Sequence, residues 1–500
     1  MSIDLHDVQG NIVKGYGRYG YPVARYLLAT INSDTQGREF LSAILPMIST
    51  AEAWQSSDGP DATTNIGMTY QGLKALEVPE LTLRGFPPEF AMGMKKRFEI
   101  LGDVGSSGHD KWDDAWSKED DVHLWISINS RDGDKLVERY DEIVVLAKAC
   151  NVTVIPGHKS EGAGALPYQD AGALQKEGKI TKKEHFGYDD GISDPYFKGS
   201  GTGEERVIGG GKCNDGDPLS KDSWSPLETG EFILGYKDEA YEYPMAPEPK
   251  VFSKNGTFMA YRKLHQNVGS FNRYLKDNAN LVEGGEEEVA AIFAGRWRDG
   301  APLTSYPSYT KWRKFGEDLE KADPEEEKEL RKTLVAFNYD NDNEGASCPI
   351  GSHIRRVNPR GALGYNKDAF ESKSALTNRR RLARRGLPYG TVSDSESNDG
   401  EHGIIFMAIC ASLNRQFEFV QQQWVNYGND LKLGNDKDPL IGSAAPEGTG
   451  VMTVPAGEHD EKPLFLQNIP RFVDVRGGAY FFIPSITALK LMAKGIVDPT

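Results

Sequence analysis

Cysteine is scarce in this chain: four residues in 500, at Cys150, Cys213, Cys348 and Cys410, with no Cys-x-x-Cys spacing. That pattern excludes a disulfide framework and a cysteine-based zinc site. Long apolar runs are missing as well, and no stretch reaches the roughly 18 apolar residues that a membrane span needs. Positive charge is in deficit, because 58 Lys and Arg face 74 Asp and Glu, leaving a formal charge of −16. Such a surface repels phosphate backbones and anionic lipid, so nucleic acid and membrane are excluded as partners of the whole. The opening residues, MSIDLHDVQGNIVKGYGR, show no basic segment leading into an apolar core. No secretory leader is read there, and a reducing cytoplasm is the expected location.

What is present suits a soluble globular protein: 38% hydrophobic and 26% charged residues. A chain of 500 residues exceeds what one core usually fills, so two domains are expected, 1–225 and 226–500. Strand-like Ala24 to Ile31 leads into helix-like Arg38 to Met47, and Val122 to Ile128 leads into Lys135 to Ala149, whose apolar residues recur at helical spacing. The second half repeats the plan, with Gly256 to Leu264 before Val268 to Leu275 and Gly403 to Ala411 before Asn414 to Asn426. Two strand–turn–helix units per half predict an α+β fold with antiparallel sheets flanked by helices. Irregular, Gly- and Asp-rich sequence separates the halves from Gly157 to about Leu227, and such segments often carry function. The acidic PEEEKEL stretch within Lys321 to Lys332 reads as a solvated helix, and Asp394 to Glu401 as a surface loop.

Three segments hold candidate chemistry. In FGYDDGISDP, Asp189 and Asp190 lie between Gly187 and Gly191. The glycines permit a tight turn close to a ligand, although an Asp-rich turn needs no ligand to explain it. Adjacent residues face differently, so one carboxylate is expected inward and one outward. In SCPIGSHIRRVNPR, His353 precedes Arg355, Arg356 and Arg360, cations of the kind that pair with carboxylates. In RRRLARRGLPYG, the arginines run directly into Leu387-Pro388-Tyr389-Gly390. That run alone could equally be a basic patch.

Taken in order, these segments resemble the dye-decolorizing (DyP-type) haem peroxidase family. Gly187–Gly191 matches its GxxDG motif, which gives the distal acid to Asp190. Cys348 to Arg360 matches its proximal-histidine segment, with His353 as axial ligand of the haem iron. An Arg two residues before Gly-x-Pro-Tyr-Gly gives the distal arginine to Arg384. Further likeness runs through GEFILGY, NGTFMAYRKL, GRWRDGAPL and RQFEFVQQQW, so the resemblance spans nearly the whole chain. It is most similar to the larger, intracellular bacterial branch. The resemblance implies two ferredoxin-like domains of the dimeric α+β barrel type and a peroxidase reducing hydrogen peroxide at the expense of dyes, phenolics or other small aromatic donors. It implies haem b, held non-covalently because no Cys-x-x-Cys-His occurs, with Arg355, Ile404 and Phe406 at the pocket and Glu418 as the carboxylate partner of His353. A homo-oligomer is compatible with it. Arg384 follows His353 by 31 positions, longer than the family pattern, which points to extra residues at 368–378 and leaves Arg385 as an alternative to Arg384.

Three other readings compete. A haem carrier or haem iron-release protein on the same fold would need His353 but neither Asp190 nor Arg384. A calcium loop beginning at Asp340-Asn341-Asp342 has Gly351 where the bidentate Glu should stand. A hydrolase built on Asp189 and Asp190 finds no GxSxG, HExxH or Walker motif beside it.

Overall fold

The computed structural model describes residues 3–54, 59–160, 164–363, 374–443, 448–457 and 462–497. One nine-stranded antiparallel sheet organises them. Its strands are β1 (Val23–Ile31), β2 (Ala62–Met68), β3 (Leu124–Ser130), β4 (Val152–Val154), β5 (Gln169–Gly172), β6 (Thr257–Gln266), β7 (Ala383–Tyr389), β8 (Gly403–Cys410) and β9 (Val473–Ile483). The order is β7-β8-β6-β9-β2-β3-β1-β4, with β5 also paired to β1. Helix α1 (Asp34–Ile44) follows β1, and α2 (Gly133–Ala149) follows β3. In the second half α3 (Val268–Asn278) follows β6, and a helical segment from Leu413 to Val425 follows β8. Each half is therefore a β-α-β-β-α-β unit with its first strand central, the ferredoxin-like arrangement. The halves join edge to edge where β9 meets β2, with Phe482 opposite Met68.

Both faces of the sheet are covered, so its strands read as nearly continuous apolar runs. Along β1, Leu27, Ala29 and Ile31 pack with Phe40 and Leu41 of α1. The alternate residues Ala24, Tyr26 and Leu28 pack against Trp116 and Trp125 on the other face. The predicted helix starts shift to where caps occur: Ser33 accepts the N–H of Gln36 and Asp132 that of Lys135. Pro324–Lys332 is a helix with no buried residue, as its charge pattern implies.

Two local features differ from the expectation. Asn414–Asn426 was read as an ordinary helix, but Leu413–Glu418 and Val420–Val425 are π-helical. Phe417, Val420, Gln421 and Val425 of this segment line the central cavity. The basic run ends as edge strand β7, where Pro388 removes no interior ladder bond. Gly386 (φ +129°) is required there, since a Cβ would lie 1.8 Å from the Ile405 carbonyl oxygen. Of the suspected extra residues at 368–378, those up to 373 lie outside the described residues, and Ala375–Asn378 forms a helical turn. All four cysteines are free thiols. Among the described residues no helix is long and apolar enough to cross a membrane.

Candidate functional site

A cavity of about 360 Å³ opens against the outer half of the sheet. Cross-strand neighbours share a face, and Ile404 stands opposite Leu264 while Phe406 stands opposite Arg262 and Gly386. These side chains floor the cavity together with Arg384, two residues before Gly386 on β7. The same alternation sends Arg385 to the reverse face. There it donates to the carbonyls of Asn11 and Ile12 at 2.8 and 3.0 Å and pairs with Asp194 at 3.1 Å. Arg384, not Arg385, enters the cavity.

His353 is the first residue of a short helix, α4 (His353–Val357), and also lines the cavity. Its Nδ1 donates to Oδ2 of Asp438 at 2.8 Å. Asp438 opens an Asp-Pro turn and is fully buried, with its other oxygen accepting the N–H groups of Leu440 and Ile441 at 2.9 and 3.0 Å. Burial pushes the Asp438 carboxyl up, but the imidazole and these hydrogen bonds outweigh it and the net direction is downward. With Nδ1 committed, Nε2 is the nitrogen left for a metal.

Asp190 and Arg384 meet elsewhere on the same cavity, with Nη1 3.6 Å from Oδ1. Both side chains are about half accessible, 49% and 52%, so a small molecule can reach them. Glycines at φ +91° (Gly187) and +72° (Gly191) make the turn. Both Asp189 and Asp190 reach the cavity wall, so the expected inward–outward split is not what separates them. Their partners are: Lys183 holds the Asp189 carboxylate at 2.8 Å and leaves Asp190 to Arg384.

Arg262 and Arg471 also line the cavity but pair with Asp103 and Asp474, which leaves the guanidinium groups of Arg296, Arg360 and Arg381. All are buried and bond to carbonyls: Arg296 to Gly300 and Leu334, Arg360 to Val335, and Arg381 to Gly210 and Gly211. Among the described residues no carboxylate lies within ion-pairing distance of them. Burial, with repulsion from Arg360 second, pulls Arg296 and Arg381 down to about 9. A cavity that gathers guanidiniums without carboxylate partners beside apolar Ile404, Phe406, Val420 and Val425, together with one imidazole backed by a carboxylate, fits a carboxylated macrocycle with a metal at its centre.

The sequence also matches two models of a single family. Residues 7–155 match the DyP dimeric alpha+beta barrel domain, and residues 237–459 match the Dyp-type peroxidase C-terminal region. The chain belongs to the DyP-type peroxidase family. Its activity is therefore that of a haem peroxidase. The multifunctional dye peroxidase DyP2 of Amycolatopsis sp. is 29% identical, over 97% of this chain and 95% of its own. Peroxidase 2 of Mycetinis scorodonius is 27% identical, over 98% and 88%. An ancestral D-type dye decolorizing peroxidase superposes with a TM-score of 0.74 at 26% identity, covering 98% of this chain and 99% of that one.

Within this DyP-type peroxidase two expected pocket residues are placed elsewhere. Glu418 does not touch His353: its carboxylate takes Nε and Nη2 of Arg97 at 2.8 and 2.6 Å and the Tyr480 hydroxyl at 2.8 Å. The π-helical turn that brings Phe417 to the cavity sends its neighbour to the first half of the chain. Arg355 does not line the cavity, because helical residues two apart face differently and His353 already takes the cavity side. It is buried against Asp342 (2.8 Å) and the Cys348 carbonyl. The same contacts settle the calcium-like loop, whose Asp342 is occupied by Arg355 and the N–H groups of Ser347 and Cys348. The residues missed were Asp438, Arg296 and Arg381. Asp438 had one sequence signal, an Asp-Pro turn leading into an apolar Leu-Ile pair. Arg296 sat in the GRWRDGAPL segment without a role.

Proposed function

We propose that this chain is a cytoplasmic peroxidase that would hold haem b without covalent attachment, with His353 as the residue that would bind its iron and Asp190 and Arg384 acting on hydrogen peroxide. The observation that carries this reading is the pairing of Asp190 with Arg384 at 3.6 Å on a cavity also lined by His353. Bound there, the haem would supply a redox-active iron able to take up the oxidising equivalents of peroxide and pass them on singly. Ile404 and Phe406 would pack on the macrocycle, while Arg296, Arg360 and Arg381 would receive its carboxylates. Asp438 keeps the proton of His353 on Nδ1 and makes the imidazole a stronger donor. Asp190 takes the proton from one peroxide oxygen and returns it to the other, the work of a carboxylate reachable from the cavity. Arg384 stays charged and stabilises the hydroperoxide anion and the negative charge that grows as the O–O bond stretches. Small aromatic donors and dyes are the electron source. One solved neighbour of the same fold is a DyP complex with 2,6-dimethoxyphenol, at 23% identity. Four free thiols suit a reducing compartment.

The test is haem content and peroxide turnover in wild type, Asp190→Asn, Arg384→Leu and His353→Ala. The expected result is a Soret band in all but His353→Ala, whose band shifts or is lost. Asp190→Asn should lose on the order of 10²–10⁴-fold in the peroxide step, and Arg384→Leu on the order of 10²–10³-fold. Full turnover in both distal variants would remove Asp190 and Arg384 from the mechanism, whereas a haem-loaded wild type without peroxide turnover would leave a haem carrier as the better account.

A further inference from the structure

Directly before the Asp190 turn lies a carboxylate that the mechanism above does not use. Glu184 is buried in the cavity wall. Its Oε1 accepts the N–H of Tyr188 at 2.8 Å and its Oε2 that of Phe186 at 3.0 Å. Its backbone closes the same turn, with Glu184 N–H donating to the Tyr188 carbonyl and Gly187 N–H to the Glu184 carbonyl. Oε2 also accepts from the side-chain amide of Gln266, the last residue of β6 and another cavity-lining group. The next residue, His185, places Nε2 2.9 Å from the Tyr389 carbonyl at the end of β7. Glu184 and His185 thus clamp the turn to β6 and to β7, the strand that carries Arg384.

We propose that Glu184 is a positioning residue for the peroxide reaction: its carboxylate ties the Phe186–Gly191 turn to the sheet and so sets the separation of Asp190 from Arg384. Three donors converge on one side chain, and a carboxylate is the group that accepts all three with nothing left to donate. An amide in its place must point its NH₂ at a backbone N–H or at the Gln266 amide, so one contact becomes donor against donor. Apart from the Arg384 ion pair, Asp190 is held among the described residues by its backbone bond to the Lys182 carbonyl and by the Gly191 N–H on Oδ1. Its placement is therefore inherited from the turn. Burial raises the proton affinity of Glu184, with the charge of Asp190 a smaller contributor, while the two N–H groups and Gln266 oppose that rise.

This inference rests on the assignment of Asp190 and Arg384 to peroxide, and its test separates the two. Amide hydrogen exchange of the peptide 182–195 is measured in the haem-free chain, alongside stopped-flow reaction of the haem-loaded protein with peroxide and with a phenolic reductant. Glu184→Gln should speed exchange in 182–195 at least tenfold and slow the peroxide reaction at least tenfold. Haem affinity and the reductant step should stay within about twofold of wild type. The paired exchange Glu184→Gln with Gln266→Glu restores the contact between the two side chains but leaves one backbone N–H facing the new amide, so it should recover only part of both losses. Unchanged exchange, or a peroxide rate unaffected by Glu184→Gln, overturns the proposal. So does a slowed peroxide reaction with wild-type exchange, because Glu184 would then act directly. A wild type that fails to react with peroxide sinks the underlying assignment instead, while the exchange data still report on the clamp.

Discussion

Replacing Asp438 by Asn changes one atom of the buried pair and reverses its hydrogen-bond logic. The two backbone N–H groups of Leu440 and Ile441 both bond Oδ1, so the Asn oxygen is held there and its NH₂ must face Nδ1 of His353. Two outcomes compete. If the ring keeps its proton on Nδ1, a donor faces a donor in a buried site. If the proton moves to Nε2, that nitrogen has no lone pair for a metal. Losing a charge-assisted bond costs about 2 kcal/mol, and leaving a buried N–H unpaired adds about 1–3 kcal/mol. The sum is about 3 kcal/mol or more, or roughly a hundredfold in haem affinity. Titration of the haem-free protein with haemin, followed at the Soret band, gives the affinity directly. Asp438→Ala, which brings no opposing donor, should bind haem more tightly than Asp438→Asn. Glu418→Gln is the control: it should lower thermal stability through the Arg97–Tyr480 network and leave haem affinity unchanged. Haem affinity in Asp438→Asn within threefold of wild type, or a loss in Glu418→Gln instead, would refute the reasoning.

Other expectations follow from the same structure. Arg385→Ala removes bonds to Asn11, Ile12 and Asp194; it should cost about 2 kcal/mol in denaturant melts and leave the peroxide rate within threefold, whereas a collapse of that rate would restore Arg385 as the distal arginine. Arg381→Met should weaken haem binding by about ten- to a hundredfold through loss of a guanidinium–carboxylate pair; unchanged affinity would remove Arg381 from the cation set. His158 is buried with neither ring nitrogen hydrogen-bonded among the described residues, and burial, helped by Lys263, pulls it down to about 3. Its folded value lies below the unfolded one, so stability is held above pH ~6.5 and lost as the pH falls toward 3, because the unfolded chain binds the proton first. Between pH 7.5 and 4.5 this amounts to about 3 kcal/mol. His158→Leu should therefore lose less melting temperature than wild type on that shift, and an equal loss in both would rule the imidazole out.

Local sequence determined a good deal. Apolar patterning located two strands in each half (β1, β3, β6 and β8) within one or two residues, because strands covered on both faces must be apolar nearly throughout, while β2, β7 and the long β9 were not read. The resemblance placed Asp190, His353 and Arg384 on one cavity, since each sits in a short segment whose turn or strand chemistry is set by its immediate neighbours. Tertiary structure alone decided the rest. Only the pairing of β7 with β8 turned Arg384 inward and Arg385 outward, a matter of one residue of register. The partner of His353 lies 85 positions away, in a loop whose carboxylate looks like any other until the Asp-Pro turn is folded against α4. Glu418 was the natural candidate by position, but a π-helical turn, which depends on packing more than on composition, rotated it toward Arg97. Charge pairing between distant segments follows from which faces the sheet brings together, and a one-dimensional pattern does not encode that.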